Sequence, residues 1–324
     1  MSPDDLSALA RAARAAAGRL GPECVTPLLA SAAIGPERGV DLRFKAENFQ
    51  RTGSFKFRGA LNRLMILTPD EARRGVVTAS SGNHGIACAE AARRCGSPLT
   101  VVLPETVAPN KWARIAGQGA EIVLFGSESG AAERHARALA QARGLPYVSP
   151  YNDPDVMAGQ GTIGVELLSQ CPDLDCVFVA LGGGGLVGGI GAVLKAARPA
   201  IRIVGVSAAN SPALAVALEE GRIRPVTHLD TLADGVSGDM DEGSITFPVC
   251  RIVIDEVVTC SEAEIAVAFR RMAYEEHQIV EGAAALAVAG FLKRADELRG
   301  RCAVVVVCGA NIAPEKVRAL LAAP

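Results

Sequence analysis

The chain has 324 residues, of which 49% are hydrophobic and 21% charged, and a formal net charge of -2. That length allows two domains of ordinary size or one large α/β unit, and the near-neutral charge gives no electrostatic footprint for nucleic acid. The longest apolar run, Ala283 to Leu292 with Gly290 inside it, is too short to cross a bilayer.

Met1-Ser2-Pro3-Asp4-Asp5 is acidic and lacks a charged-then-apolar secretion pattern, so the expected location is cytoplasmic. Ala12 to Ala17 is a run of strong helix formers. Next comes Ser54-Phe55-Lys56-Phe57-Arg58-Gly59-Ala60, a lysine between two aromatic residues at a helix start. Desolvation by Phe55 and Phe57 would lower its pKa, and a neutral amine is what a Schiff base with an aldehyde cofactor requires. Taken alone, the triplet also reads as a helix start whose lysine snorkels to water.

Val76 to Ala79, Leu99 to Leu103 and Glu121 to Phe125 read as strands. They are separated by helices at Gly82 to Cys95 and Asn110 to Gly117, and followed by a helix at Ser129 to Arg143. Ser80-Ser81-Gly82-Asn83-His84-Gly85 lies at the first strand-to-helix turn, where hydroxyls and unpaired amides suit a carboxylate. An ordinary capping turn is the alternative there. A second series follows, with strands at Cys176 to Leu181, Ile201 to Val206 and Ala303 to Val307. Its helices fall near Leu186 to Ala197, Pro212 to Glu220, Glu262 to Glu276, Ala283 to Ala295 and Pro314 to Leu321. Such alternation predicts an α/β fold with mostly parallel sheets.

Gly182-Gly183-Gly184-Gly185 opens the helix after the strand at Cys176, which raises a dinucleotide-binding reading. The next strand ends in Gly205-Val206-Ser207, with no acidic residue to hold a ribose, so a single phosphate fits better. Arg222 to Phe247 shows little periodicity and reads as a long ordered loop of functional kind. Nine cysteines are an odd number, and Cys88, Cys176, Cys302 and Cys308 fall in apolar segments, where they read as reduced. Cys171 and Cys176 have no second pair and no neighbouring histidine to complete a zinc site.

In their order and separation, the Lys56 stretch, the Ser80 turn, the tetraglycine run continuing Leu186-Val187-Gly188-Gly189, and Cys308-Gly309-Ala310-Asn311 resemble the fold-type II pyridoxal-phosphate (PLP) enzymes. Within these, they are most similar to the threonine/serine dehydratase and serine racemase group. Thr26-Pro27-Leu28, Lys45-Ala46-Glu47-Asn48, Ala158-Gly159-Gln160-Gly161-Thr162 and Val280-Glu281-Gly282-Ala283 extend the resemblance along nearly the whole chain.

The resemblance implies two three-layer domains of the tryptophan synthase β-like kind, with PLP in the cleft between them. Residues 1–70 and 153–324 would form a large PLP-binding domain and residues 71–152 a small substrate-binding domain. It also implies Lys56 as Schiff-base lysine and base at the substrate Cα. Gly182, Gly183, Gly184, Gly185 and Leu186 would hold the phosphate, Asn83 the ring oxygen, and Cys308 would face the pyridine nitrogen. Ser80, Ser81, Asn83 and His84 would bind the substrate, with His84 as an orienting residue. Cysteine cannot pair ionically with a pyridinium, so the ring would stay largely neutral and favour elimination; a plain buried small residue is the alternative for Cys308. Glu281 is either a group near the ring or a carboxylate at a helix N-terminus. Tyr151, Asn152 and Asp153 would line the pocket.

The implied reaction is β-elimination from threonine, serine or a related β-hydroxy amino acid to a 2-oxo acid and ammonia, by a homodimer. Ser81 on the opposite face admits racemisation beside it. Two departures matter. Ser207-Ala208-Ala209-Asn210-Ser211-Pro212-Ala213 has no carboxylate where many relatives bind a divalent cation, so no metal is expected. Ile86 replaces a polar residue, and the sequence ends near Pro324 without a regulatory domain, so isoleucine feedback is not expected. The long loop points to an unusual hydroxy-amino acid, with a hydroxyectoine-catabolism dehydratase as one possibility. The other rivals are a cysteine-synthase-like β-replacement enzyme and a non-catalytic PLP-binding protein.

Overall fold

The computed structural model describes residues 3–322. Met1, Ser2, Ala323 and Pro324, on which the readings of the chain's two ends partly rest, lie outside them. Among the described residues, nine strands form two sheets. They are β1 (Leu28–Ala30), β2 (Asp41–Ala46), β3 (Val76–Ala79), β4 (Leu99–Leu103), β5 (Glu121–Leu124), β6 (Cys176–Ala180), β7 (Arg202–Ala208), β8 (Glu256–Cys260) and β9 (Cys302–Val307). The larger sheet has the order β1-β2-β9-β6-β7-β8, and the smaller is β3-β4-β5. All pairings are parallel except β1 with β2.

Continuous apolar strands explain the parallel arrangement, because such a sheet is covered by helices on both faces. Every residue of β6 (CVFVA) and β9 (CAVVVV) is buried. The helix Gly282–Arg294 is apolar all round and buried through Phe291. Phe291 meets Phe178 of β6 edge-on at 5.6 Å. Each such buried side chain contributes about 1.5–3 kcal/mol relative to exposure, so this helix and strand pair forms the centre of the larger core. Among the described residues, no helix is long and apolar enough to cross a membrane.

The strands and helices expected from periodicity appear within about two residues of their expected limits, with β7 running on to Ala208. Others are not legible in the sequence. Arg43 and Lys45 break the apolar pattern of β2, although Lys45 is fully buried. In the helix Pro154–Gln170, Gly159, Gly161 and Gly164 read as breakers and hide the helix. They are contact points instead: a Cβ on Gly159 would lie 2.6 Å from the carbonyl oxygen of Arg58. The segment expected as a loop to Phe247 is irregular apart from a short turn at Asp234–Val236, and its last two residues begin the helix Thr246–Val253.

The helix Lys56–Met65 therefore packs backbone to backbone on Pro154–Gln170. Its other face, Phe57, Ala60, Leu61 and Leu64, enters the core of the smaller sheet with Ile86, Ala87 and Leu103. It sits between the two sheets, which fixes where Lys56 points.

Candidate active site

Lys56 stands at the first helical position, and the strand-like segment before it is tied to the end of β9. Ser54 bridges to Gly309, and Phe55 N–H donates to the Cys308 carbonyl at 3.0 Å. The Lys56 Nζ donates to the Pro150 carbonyl at 2.8 Å and lies 5.1 Å from the centre of the Phe55 ring. Desolvation pushes its pKa down to about 8, with Cys308, Cys88 and Glu281 opposing the shift. Phe55 thus contributes to the apolar setting of the amine. Phe57 makes no such contribution, because it faces the other core, with the Arg94 guanidinium 5.5 Å from its ring. Two residues apart on a helix, the rings cannot face the same way.

Behind Lys56 lies a buried ionic cluster. The Arg58 guanidinium is bidentate on Glu47 at 2.7 and 2.8 Å and also bonds Glu166, while Lys45 Nζ reaches Glu166 at 2.5 Å. Two cations face two carboxylates, so the cluster is charge-balanced, and it ties β2, the Lys56 helix and Pro154–Gln170 together. None of these roles was legible from sequence, because each is a pairing between distant segments.

The turn after β3 brings its residues to the same cleft. Ser80 Oγ accepts from Gly82 N–H at 3.1 Å, and the Ser81 hydroxyl has no hydrogen-bond partner among the described residues and is half-buried. His84 is buried; its Nε2 meets the Val148 carbonyl at 3.1 Å and Cys88 Sγ at 3.4 Å. Burial first, and then Lys56, push its pKa down to about 3, so the ring stays neutral. It orients the turn and offers no cationic charge to a carboxylate.

Asn83 Nδ2 donates to both Glu281 oxygens at 3.0 and 2.9 Å, and Asn83 Oδ1 accepts from Asn311 Nδ2 at 2.6 Å. Glu281 is the N-cap of Gly282–Arg294 yet makes no side-chain cap; its carboxylate turns into the cleft. It accepts there from Asn311 N–H at 3.2 Å and faces Cys308 Sγ at 3.7 Å. Burial raises the Glu281 pKa to about 7 against the lowering by Asn83 and Asn311. The Cys308 thiol is itself pushed well above its ordinary range by burial and by Glu281, so it remains protonated. Glu281 thus stands at the helix N-terminus while its carboxylate bonds Asn83 and Asn311.

The tetraglycine turn is shaped as an anion cradle. Gly184 adopts φ +85°, a left-handed conformation that side chains rarely take. The Gly183 carbonyl accepts from Thr246 Oγ1 at 2.6 Å and the Gly184 carbonyl from Cys250 Sγ at 3.6 Å. The amides of Gly182 to Leu186 find no acceptor among the described residues, at the N-terminus of Gly185–Ala197. A Cβ on Gly183 would lie 2.4 Å from the Tyr151 ring, so only glycine allows that ring to lie against the turn. Free amide donors at a helix start, a desolvated lysine and a protonated thiol match a phosphate, an aldehyde and an uncharged ring nitrogen. The donor set fits pyridoxal phosphate.

Tyr151 and Asn152 also fasten the long loop. Tyr151 Oη accepts from Asp241 N–H at 2.7 Å, Asn152 Nδ2 donates to Asp241 Oδ2 at 2.9 Å, and Arg137 donates to the same carboxylate at 2.8 Å. Asp153 instead caps Pro154–Gln170, its carboxylate accepting from Asp155 and Val156 N–H. Where the sequence lacked cation ligands, the Ser211 hydroxyl meets His228 Nδ1 at 2.8 Å, and His228 Nε2 meets Asp239 at 3.0 Å. Cys171 has its sulfur neighbour in Cys302, at 3.4 Å.

Comparison with known proteins bears on this arrangement. The family described as pyridoxal-phosphate dependent enzyme matches residues 20–309. An L-threonine ammonia-lyase of Thermotoga maritima is 37% identical over 89% of this chain and 71% of its own length. The structure of processed threonine deaminase isoform 2 from Solanum lycopersicum superposes with a TM-score of 0.93 at 31% identity, over 100% of this chain and 95% of that one. Maize serine racemase gives a TM-score of 0.89 at 30% identity, covering 95% of each chain.

Proposed function

The chain belongs to the pyridoxal-phosphate dependent enzyme family, and from that premise we propose that it is an ammonia-lyase for a β-hydroxy amino acid, with threonine or serine as the first candidates. The observation that carries this reading is the desolvated Lys56 amine, held at the Pro150 carbonyl beside Cys308 and Glu281. In this reading Lys56 holds the cofactor aldehyde, Gly182 to Leu186 its phosphate, Asn83 its ring oxygen, and Cys308 faces its ring nitrogen. Residues 1–70 and 153–324 serve as the cofactor-binding domain and residues 71–152 as the substrate-binding domain.

When bound, pyridoxal phosphate supplies an aldehyde for the substrate amine and a conjugated ring that accepts electron density from Cα. Ser80, Ser81 and the first-turn amides at Asn83 and His84 receive the α-carboxylate. Lys56 would hold the cofactor aldehyde and, as a free neutral amine, would take the Cα proton, a transfer suited to a base whose pKa lies near working pH. The net change would be loss of the Cα proton and the β-hydroxyl together as one water, followed by addition of one water that releases ammonia and leaves a 2-oxo acid. His84, neutral and buried, holds the turn in place.

A second activity is favoured by the unpartnered, half-buried Ser81 hydroxyl, which is free to act as acid/base on the other face of Cα and so to racemise. We place the enzyme in the cytoplasm as a homodimer. Phe49 and Ile279, 59% and 45% exposed beside the Asn48–Gln278 hydrogen bond, offer apolar surface to a second copy.

The test uses holoenzyme with threonine and serine of both chiralities, scoring 2-oxo acid, ammonia and the opposite isomer. Lys56→Ala is expected to abolish the bound-cofactor absorbance band and ammonia release together; survival of both sinks the assignment. Ser81→Ala is expected to lower racemisation far more than elimination, and equal losses would refute the two-face picture.

A further inference from the structure

Asn83 is one link in a directed chain of hydrogen bonds that crosses the cleft. It begins at Arg114, an exposed residue on the helix Pro109–Ala116 of the smaller sheet. Arg114 Nη1 donates to Asn311 Oδ1 at 2.9 Å, and Nη2 reaches the Thr52 carbonyl at 3.4 Å. Asn311 Nδ2 donates to Asn83 Oδ1 at 2.6 Å and to the Thr52 carbonyl at 2.9 Å. Asn83 Nδ2 then donates to both oxygens of Glu281.

An asparagine amide has one accepting and one donating end, whereas an arginine only donates and an ionised carboxylate only accepts. The two end groups, together with the Thr52 carbonyl that accepts from Asn311 Nδ2, fix the direction of both amides between them. With Asn311 reversed, its NH2 would face a guanidinium; with Asn83 reversed, its oxygen would face a carboxylate. Glu281 loses its fixing role once protonated, because a carboxylic acid can also donate. Arg114 keeps its charge at any working pH.

We propose that Arg114 is a positioning residue that, through Asn311, sets the direction of the Asn83 amide so that its NH2 end faces Glu281 and the cofactor. The idea rests on the cofactor-binding reading of the cleft. It also makes Arg114 a clasp between the sheets, since Asn311 and Thr52 belong to the side of the larger sheet and Arg114 to the smaller.

The test titrates wild-type apoprotein and the variants Arg114→Lys, Arg114→Ala and Arg114→Glu with pyridoxal phosphate. It records the dissociation constant and the position of the visible band, with ammonia release and thermal midpoint alongside. Lysine still only donates, so Arg114→Lys is expected within about twofold of wild type. Arg114→Ala should bind roughly tenfold more weakly, the low end for losing a hydrogen bond from a charged donor. Arg114→Glu should be weaker again with a displaced band, because an acceptor at this position repels Asn311 Oδ1 and works against the hold of the Thr52 carbonyl on its NH2 end. The midpoint should fall by no more than about 2–4 °C across all three, the cost of one exposed hydrogen-bonded pair.

Arg114→Ala and Arg114→Glu behaving alike, or Arg114→Lys as weak as Arg114→Glu, overturns the proposal. Wild-type protein that neither binds the cofactor nor turns over substrate sinks the functional reading instead. Wild-type binding with indistinguishable variants sinks only the role of Arg114.

Discussion

Lys56 shows what a single residue's surroundings do to its chemistry. Its pKa lies near 8 in the folded protein against an ordinary 10.5. Between these values the unfolded chain binds the proton that the folded chain has lost, so stability rises with pH across that window. Below about 8 both states carry the proton, and the cost of burying the ammonium is felt in full. The apoprotein's thermal midpoint is therefore expected to gain a rising contribution from pH 8 to pH 10.5 that Lys56→Ala lacks. Parallel pH profiles for the two proteins would contradict a desolvated amine. Glu281 is the counterpart, a carboxyl raised to about 7, and both shifts come chiefly from burial.

At the scale of elements, the Lys56 helix is held by charge as well as by packing. Arg58 is fully buried and serves Glu47 and Glu166 at once. Removing one partner of a buried pair costs roughly 3–5 kcal/mol because it strands the other charge. Arg58→Met is expected to lose about that much stability in urea unfolding, whereas loss of an exposed pair such as Arg73–Asp70 should cost under about 1 kcal/mol. Comparable small losses for both would mean that the cluster does not hold the helix.

The loop between Gly221 and Thr246 is a second element-scale case. The Asp241 carboxylate accepts from Arg137 and Asn152 Nδ2, and its own N–H donates to Tyr151 Oη. Asp241→Ala leaves its N–H bond to Tyr151 and the Ile245 N–H bond to Asn152, and the loop should open at least about tenfold more often, the factor for losing one hydrogen bond to a charged group. Limited trypsin digestion after Arg222 reads that opening; an unchanged cleavage rate counts against the latch.

For the whole molecule, the reacting groups come from both sheets. The smaller sheet supplies Ser80 to His84 and Arg114, the larger supplies the glycine turn, Cys308 and Asn311, and the Lys56 helix lies between. Asn83–Glu281, Arg114–Asn311 and Arg137–Asp241 each cross from one side to the other. Closure of the cleft and assembly of the site are therefore expected to be one event. Adding pyridoxal phosphate should slow amide exchange at all three crossings together, and protection confined to the glycine turn would separate closure from assembly.

Most helices and strands were legible in the amino-acid order, because periodicity and turn residues act locally, and Lys56, the Ser80 turn and the glycine run stood out as candidates through their chemical types and order. Only the tertiary structure decided which aromatic ring desolvates Lys56, that Glu281 enters the cleft, and that Arg58 and Lys45 are buried. These depend on partners far apart in the chain, as with Asn83 and Glu281, 198 residues apart, and Arg114 and Asn311, 197 apart. A residue's type states which protons it can give or accept, but burial and pairing fix which of them it does, and both arise only when distant segments pack.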